Sequence, residues 1–297
     1  MVMINGIDFK IGCDPEAFVW NTEFERPVSA VGIIPGDKKN PQKVEKGAVQ
    51  CDGLAAEFNI DPASTEDEWV DNIQTVLAQM RSMLPDGHEL KFVPATWFTK
   101  NHFNNQPDEA KELGCDPDYN AWTSAQNPVP GIKMTSKGML RTAAGHIHIG
   151  WTEGADVSDS VHVSKCEILV KLMDRYIGAP MTISSGAALE KARRRLYGKA
   201  GAYRPKPYGV EYRTASNNWL TSEERMRWVF RNTVLCIERM MQGERTDGIY
   251  SQYGDNRDLS YEINLVHPWS ISGVLRATDT IQSVPDFPAT NHERGRY

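Results

Sequence analysis

Four short apolar runs each carry two polar residues one position apart. Ile11-Gly12-Cys13-Asp14-Pro15-Glu16-Ala17-Phe18 holds Asp14 and Glu16, and Ala55-Ala56-Glu57-Phe58-Asn59-Ile60 holds Glu57 and Asn59. Gly145-His146-Ile147-His148-Ile149-Gly150 holds two imidazoles, and Gly209-Val210-Glu211-Tyr212-Arg213-Thr214 holds Glu211 and Arg213. Residues i and i+2 of a strand project from one face. Read as strands, the four runs therefore each have an apolar side and a side bearing metal- or phosphate-competent groups. Alternation by itself is what any half-exposed sheet shows, and a lone His-x-His is more often a solvent-facing or satisfied core pair than a ligand set. Four such strands, flanked by glycine and apolar residues, are harder to treat that way. If they are neighbours, they gather three or four carboxylates and two imidazoles on one surface. An uncompensated buried carboxylate costs several kcal/mol and takes up a proton unless a cation compensates it. Oxygen-rich ligands with histidine suit Mg2+ or Mn2+, whereas zinc favours more nitrogen and sulfur.

A second unusual stretch is Lys191 to Lys206, which holds seven cations. A solvated basic surface or a nucleic-acid patch would account for the charge. Glycines (Gly198, Gly201) and tyrosines interleave the cations, however, and the run leads into the Glu211/Arg213 strand. Gly-rich backbone with Arg and Lys is a common way to hold phosphate, arginine by a bidentate fork. Carboxylates for a metal beside such a loop describe a nucleoside-triphosphate site. No GxxxxGK[ST], GxGxxG or GxSxG motif occurs.

The elements that must position these groups follow from periodicity. Three amphipathic helices are predicted, over about Thr65 to Leu84, Ser160 to Ile177 and Ser222 to Met241. Thr65 with Glu68 forms a capping box, Gly178 reads as a stop, and Thr221 with Glu224 reads as a cap. Strands are predicted at Ile7–Ile11, Glu16–Trp20, Ala48–Gln50, Ala55–Ile60, Leu90–Pro94, Gly145–Trp151 and Gly209–Thr214. They do not alternate with helices as βαβ units would, so an α+β arrangement is expected: a mostly antiparallel sheet with helices on one face. With no repeat or long linker, residues 1–297 are expected to form a single domain.

The 297 residues carry a net charge of −6, with 40% hydrophobic and 24% charged residues. That is the composition of a soluble globular enzyme, and it argues against a duplex-DNA binder. No apolar stretch approaches the length of a membrane span, and no signal peptide opens the chain. Five cysteines without CxxC spacing fit reduced thiols in a cytoplasm. Three of them sit in Cys-Asp pairs (Cys13-Asp14, Cys51-Asp52, Cys115-Asp116), read as core thiols beside turn aspartates.

His146-Ile147-His148 followed by Val210-Glu211-Tyr212-Arg213 resembles the His-x-His and Glu-x-Arg strands of glutamine synthetase and glutamate–cysteine ligase, whose early strand also carries two acidic residues one position apart. The chain resembles more closely the phage-type carboxylate–amine ligases of that superfamily. The stretches that carry this are Gly12 to Glu16, Gly47 to Ile60, Gly114 to Trp122, Gly145 to Trp151 and Leu196 to Thr214.

The resemblance implies a curved antiparallel, glutamine-synthetase-like sheet holding ATP and Mg2+ (or Mn2+). It implies Glu16, Glu57, one of His146 and His148, and Glu211 as metal ligands. Arg213 would meet the γ-phosphate or an acyl phosphate, with Arg204, Lys199 and Arg195 as phosphate or substrate contacts, and Glu211, Arg204 and Arg213 at the reacting centre. The implied reaction joins a small-molecule or peptide carboxylate to an amine through an acyl phosphate, in a cytoplasm (a host's, if the gene is a phage's). Asp118, Tyr119, Asn120 and Trp122 are placed near the amine, or else they form turns. No sequence equivalent of the glutamine synthetase ammonia-site loop is present. Three other readings stay open: an ATP:guanidino phosphotransferase on the same sheet, a metal-dependent hydrolase, and a non-catalytic phage protein retaining the fold. The sequence does not decide the oligomeric state, the substrates' identity, or whether Glu262 and Asn264 form another pair.

Overall fold

The computed structural model describes residues 2–4, 6–111, 118–128, 131, 134–184 and 187–246; Glu262 and Asn264 lie outside them. Seven strands form one sheet in the order Val2–Ile4, Ile7–Cys13, Ile147–Gly150, Gly209–Tyr212, Ala202–Lys206, Tyr119–Asn120 and Ala125–Gln126. A second sheet runs Arg26–Val28, Glu16–Asn21, Ala55–Ile60, Gly47–Asp52 and Gln42–Val44, with His88–Lys91 also paired to Glu16–Asn21. All these pairings are antiparallel, as is the separate pair Ala95–Phe98 with Met139–Thr142. The expected α+β class holds, but the four chemistry-bearing strands divide between two sheets. The chain passes from one sheet to the other at Asp14-Pro15, where proline contributes no N–H to a ladder.

Period-2 alternation does what the sequence requires of it. Ile11, Cys13, Ile147, Ile149, Val210 and Tyr212 turn inward to one apolar cluster that also contains Trp69, Ile73, Leu169, Met173, Val229 and Ile237. The opposite face keeps Gly12, His148, Glu211 and Arg204 in a single row across four strands. In the second sheet Glu16 stands opposite Glu57, and Glu57 opposite Gln50.

Helices Glu66–Ser82, Ser160–Met173 and Glu223–Met241 cover the apolar side, the last packing on the other two. Thr65 Oγ1 accepts from the Glu68 N–H at 3.2 Å, and Glu68 Oε2 accepts from the Ser64 N–H at 2.7 Å, one residue earlier than a standard capping box places it. The cap of the last helix is Ser222, whose hydroxyl accepts from the Arg225 N–H, not Thr221, which donates to the Asn218 carbonyl. Gly178 does not stop its helix. A π-helical turn, Asp174–Gly178, runs directly into the helix Ala179–Ser184. The glycine is there because a Cβ would lie 2.6 Å from the Tyr212 hydroxyl. No helix among the described residues is long and apolar enough to cross a membrane.

Candidate active site

The first half of the basic run is a helix, Ala187–Leu196, and two of its arginines face inward. Arg193 is fully buried and donates to the carbonyls of Ala143 (3.0 Å), Thr214 (2.8 Å) and Ala215 (2.8 Å). Burial pulls its pKa down to about 10, against the opposing pull of Glu190. Gly198, in the left-handed region at φ 64°, leaves room for that guanidinium, and its own carbonyl accepts from Arg194 at 2.6 Å. Gly201, at φ 76°, packs on Trp122 and Asn120, and its N–H donates to Asp174 at 2.6 Å. The glycines expected to cradle phosphate therefore make room for the protein's own side chains. Arg195 is exposed, and neither it nor Lys199 lines either of the two clefts below; the Lys199 carbonyl instead accepts from Thr214 and Ala202.

What Arg193 clamps is the junction of the two sheets. The Glu16 N–H donates to the Ala144 carbonyl at 2.9 Å, the Ala144 N–H donates to Glu16 Oε2 at 2.8 Å, and Asn217 donates to the Glu16 carbonyl at 2.8 Å. Two groups of metal-competent side chains result, each with ligand atoms within 4.8 Å of one another: Glu16, Asp52 and Glu57, and Asp14, His148 and Glu211. Asp14 and Glu16, close in sequence, thus serve different groups. His146 belongs to neither, because its Nδ1 is linked to Asp14 Oδ1 and its Nε2 to the Tyr197 hydroxyl, each at 3.1 Å. His148 is held through Nδ1 by the Tyr208 hydroxyl, while Nε2 lies 2.8 Å from Asp14 Oδ1 without hydrogen-bond alignment.

Electrostatics separates the groups. Glu211 is almost fully buried among Lys206 (2.8 Å), Arg204 (3.6 Å) and Arg213, which pairs with it directly. Burial pushes the Asp14 carboxyl up, but His148 and then His146 outweigh it and hold it well below the usual range. Burial pulls His148 down, and Asp14 and then Glu211 reverse this and leave it raised; burial and then Arg213 leave His146 lowered. The second group has less compensation. Burial and then Asp52 push Glu16 up to about 7, and burial followed by Asp14 and Asp52 pushes Glu57 well above its usual range. The cations that offset this are Arg193 and then Lys38 at Glu16, with Lys38 2.9 Å from Asp52. Three half-buried carboxylates, two of them pushed toward the protonated form, are a fit for a hard divalent cation.

A pH dependence follows. Raised folded-state carboxyls stabilise the metal-free protein at low pH, and that contribution is lost as pH rises from the usual 4.5 through about 7. A metal needs the ionised forms, so Mg2+ should raise the melting temperature more at about pH 8 than at about pH 6. Thermal scans across that range, with Mg2+ and with chelator, check it; a Mg2+ effect that is flat or falls with pH contradicts it.

Two clefts meet at these groups. An inner one of about 320 Å³ is lined by both carboxylate sets with Arg141, His146, Tyr197, Arg204 and Arg213. An outer groove of about 790 Å³ runs along His148, Trp151, Tyr208 and Asn59. Asp14, Lys38, Gln50 and Glu57 line both. Arg213 also bonds the Tyr197 hydroxyl and reaches Asp118 at 3.5 Å.

Residues 131–254 match the family of phage phiEco32-like COOH.NH2 ligases, type 2. No curated protein matches the chain. The ligase match takes in His146, His148, Arg204, Glu211 and Arg213, whereas Asp14, Glu16, Asp52 and Glu57 precede it and reach the same clefts through the fold. Of the segment resembling the ligases at Gly114 to Trp122, residues 114–117 lie outside the described ones. Asp118 touches Arg213, Tyr119–Asn120 is a short strand between Ala202–Lys206 and Ala125–Gln126, Asn120 caps its own turn at the Trp122 N–H (2.9 Å), and Trp122 donates to the buried Asp174 (2.7 Å). The turn-forming reading of Asn120 is the one observed.

Sequence reasoning missed Asp52, Lys38, Tyr197 and Arg141. Asp52 carried a signal, since Asp52-Gly53 is a hairpin dipeptide joining two of the strands already singled out, and Tyr197 lies inside the Leu196–Thr214 stretch that resembles the ligases.

Proposed function

We propose that the chain is an ATP- and Mg2+-dependent carboxylate–amine ligase on a sheet of the glutamine synthetase and glutamate–cysteine ligase type. The observation that carries this is the meeting of two clefts at two groups of carboxylates, inside a chain matching a COOH.NH2 ligase family.

The larger groove, walled by Trp151 and Tyr208, has the size for a nucleotide, and the smaller cleft for a compact acid. Glu16, Asp52 and Glu57, with Asp14, His148 and Glu211 beside them, would hold Mg2+. The ion would neutralise charge on the triphosphate and shield it from the carboxylates. Arg213 and Arg204, at the inner cleft, meet the negative charge of the transferring phosphoryl group. The acid's carboxylate oxygen attacks the γ-phosphorus, the bond to ADP breaks, and an acyl phosphate forms. The amine nitrogen then attacks the acyl carbon, phosphate departs, and the nitrogen loses a proton to give the amide. The residues contribute positioning and electrostatic stabilisation. Arg195 and Lys199 take no part in this reading.

The test uses hydroxylamine as the amine and a panel of small carboxylic acids. ADP release matched by equal hydroxamate is expected for at least one acid. A stable phosphorylated product without hydroxamate would favour the guanidino phosphotransferase reading, and metal-dependent hydrolysis indifferent to ATP would favour the hydrolase.

A further inference from the structure

Arg141 stands apart from the other two arginines that line the inner cleft, Arg204 and Arg213, in having no described carboxylate beside it. It lies on the strand Met139–Thr142, which pairs only with Ala95–Phe98 among the described residues, on an element separate from the Glu211 row. It is 6% exposed and lines the inner cleft. Its Nη2 donates to the Lys111 carbonyl at 2.5 Å, and its guanidinium sits 4.8 Å from the centre of the Phe103 ring. Nη1 is buried with no hydrogen-bond partner, and no described carboxylate pairs with this arginine. By contrast, Arg193 is saturated by carbonyls, Arg194 has Glu190, and Arg204 and Arg213 have Glu211. Burial alone, with nothing opposing it, pulls the Arg141 pKa down.

A buried guanidinium held by one carbonyl and a ring, with one terminal nitrogen unsatisfied beside a cleft, is costly unless an anion completes it. The cleft it lines also holds Arg213 and Arg204 beside Glu211, where the proposed phosphoryl transfer takes place. We propose that Arg141 anchors a second anionic group of the acid substrate, distinct from the carboxylate that is activated, so that the acid is a compact dianion. The identity of the ligand as the acid substrate rests on the ligase reading. The second group is a carboxylate or a phosphoryl-type oxyanion, since a guanidinium fork accepts both. Arg141 is thus a specificity-determining residue, and the reaction supplying the substrate must be one that yields a dianionic acid.

The test is calorimetric titration of the full chain with succinate, glutarate and adipate, the monomethyl ester of each, and 4-phosphonobutyrate, on wild type, Arg141→Lys and Arg141→Met. At least one dianion should bind the wild type about tenfold or more tightly than its monoester. A tighter phosphonate names the oxyanion, and a tighter dicarboxylate names the carboxylate. The preference should vanish in Arg141→Met and survive in reduced form in Arg141→Lys, which keeps the charge and loses the fork. Mg·ATP affinity should fall less than dianion affinity in both variants, because Arg141 lines the inner cleft and not the outer groove. Equal binding of every dianion and monoester by the wild type, or an undiminished preference in a folded Arg141→Met, overturns the anchor. Failure of Mg·ATP to bind the wild type would sink the ligase reading instead, and the dianion preference would still decide the role of Arg141.

Discussion

In the Asp52→Asn protein, Mg2+ affinity should fall by about 100-fold or more on the ligase reading, while the metal-free protein should be no less stable than wild type. Altering groups that merely support metal ligands already costs 10–100-fold, and Asp52 shares a group directly with Glu16 and Glu57. The opposite sign without metal has its own cause. After burial, Asp52 is the largest influence raising Glu16, and it also raises Glu57. Removing its charge relieves repulsion on Glu16 and Glu57, offsetting the loss of its ion pair with Lys38. Calorimetric Mg2+ titration and thermal unfolding in chelator check the two halves separately. Wild-type Mg2+ affinity in the variant would mean that this group holds no metal.

Arg193→Leu should cost at least about 4 kcal/mol of folding stability. Three backbone carbonyls, those of Ala143, Thr214 and Ala215, lose their donor in a fully buried place. Each unsatisfied buried acceptor costs about 1–3 kcal/mol. Glu190, itself buried, also loses a neighbouring cation, 4.0 Å away. Against a total stability of about 5–15 kcal/mol, much of the protein would unfold at moderate temperature. Urea unfolding measures this. A variant that keeps wild-type stability and loses only nucleotide affinity would make Arg193 a phosphate contact after all.

The strands were legible because period 2 is strict where one face is buried. Ile147/Ile149 and Val210/Tyr212 mark the core, so His148 and Glu211 had to share the other face, and they proved to be register partners. What could not be read was which strands are neighbours. Glu16 opposite Glu57 and Gly12 opposite His148 are non-local pairings in two different sheets, and nothing in either segment announces its partner. For the same reason Asp52 read as a turn residue: the hairpin position was visible, but the strand that brings Glu16 beside it was not. The basic run misled because consecutive cations hide which of them face inward. Ala187 to Leu196 is composed largely of strong helix formers, and a helix buries Arg193 and Arg194 while leaving Arg195 in solvent. Arg141 was unreadable because its importance lies in a missing partner, which only packing reveals.

The most direct test of the central claim is calorimetric titration of ATP into wild type and Glu211→Gln, with and without Mg2+. Glu211 is the buried acid at which Arg204, Lys206, Arg213 and the Asp14/His148 group converge. The ligase reading predicts binding that requires Mg2+ in the wild type and weakens at least about tenfold in the variant. A folded wild type that binds no ATP with Mg2+ present, or binds it equally well without the metal, would contradict it.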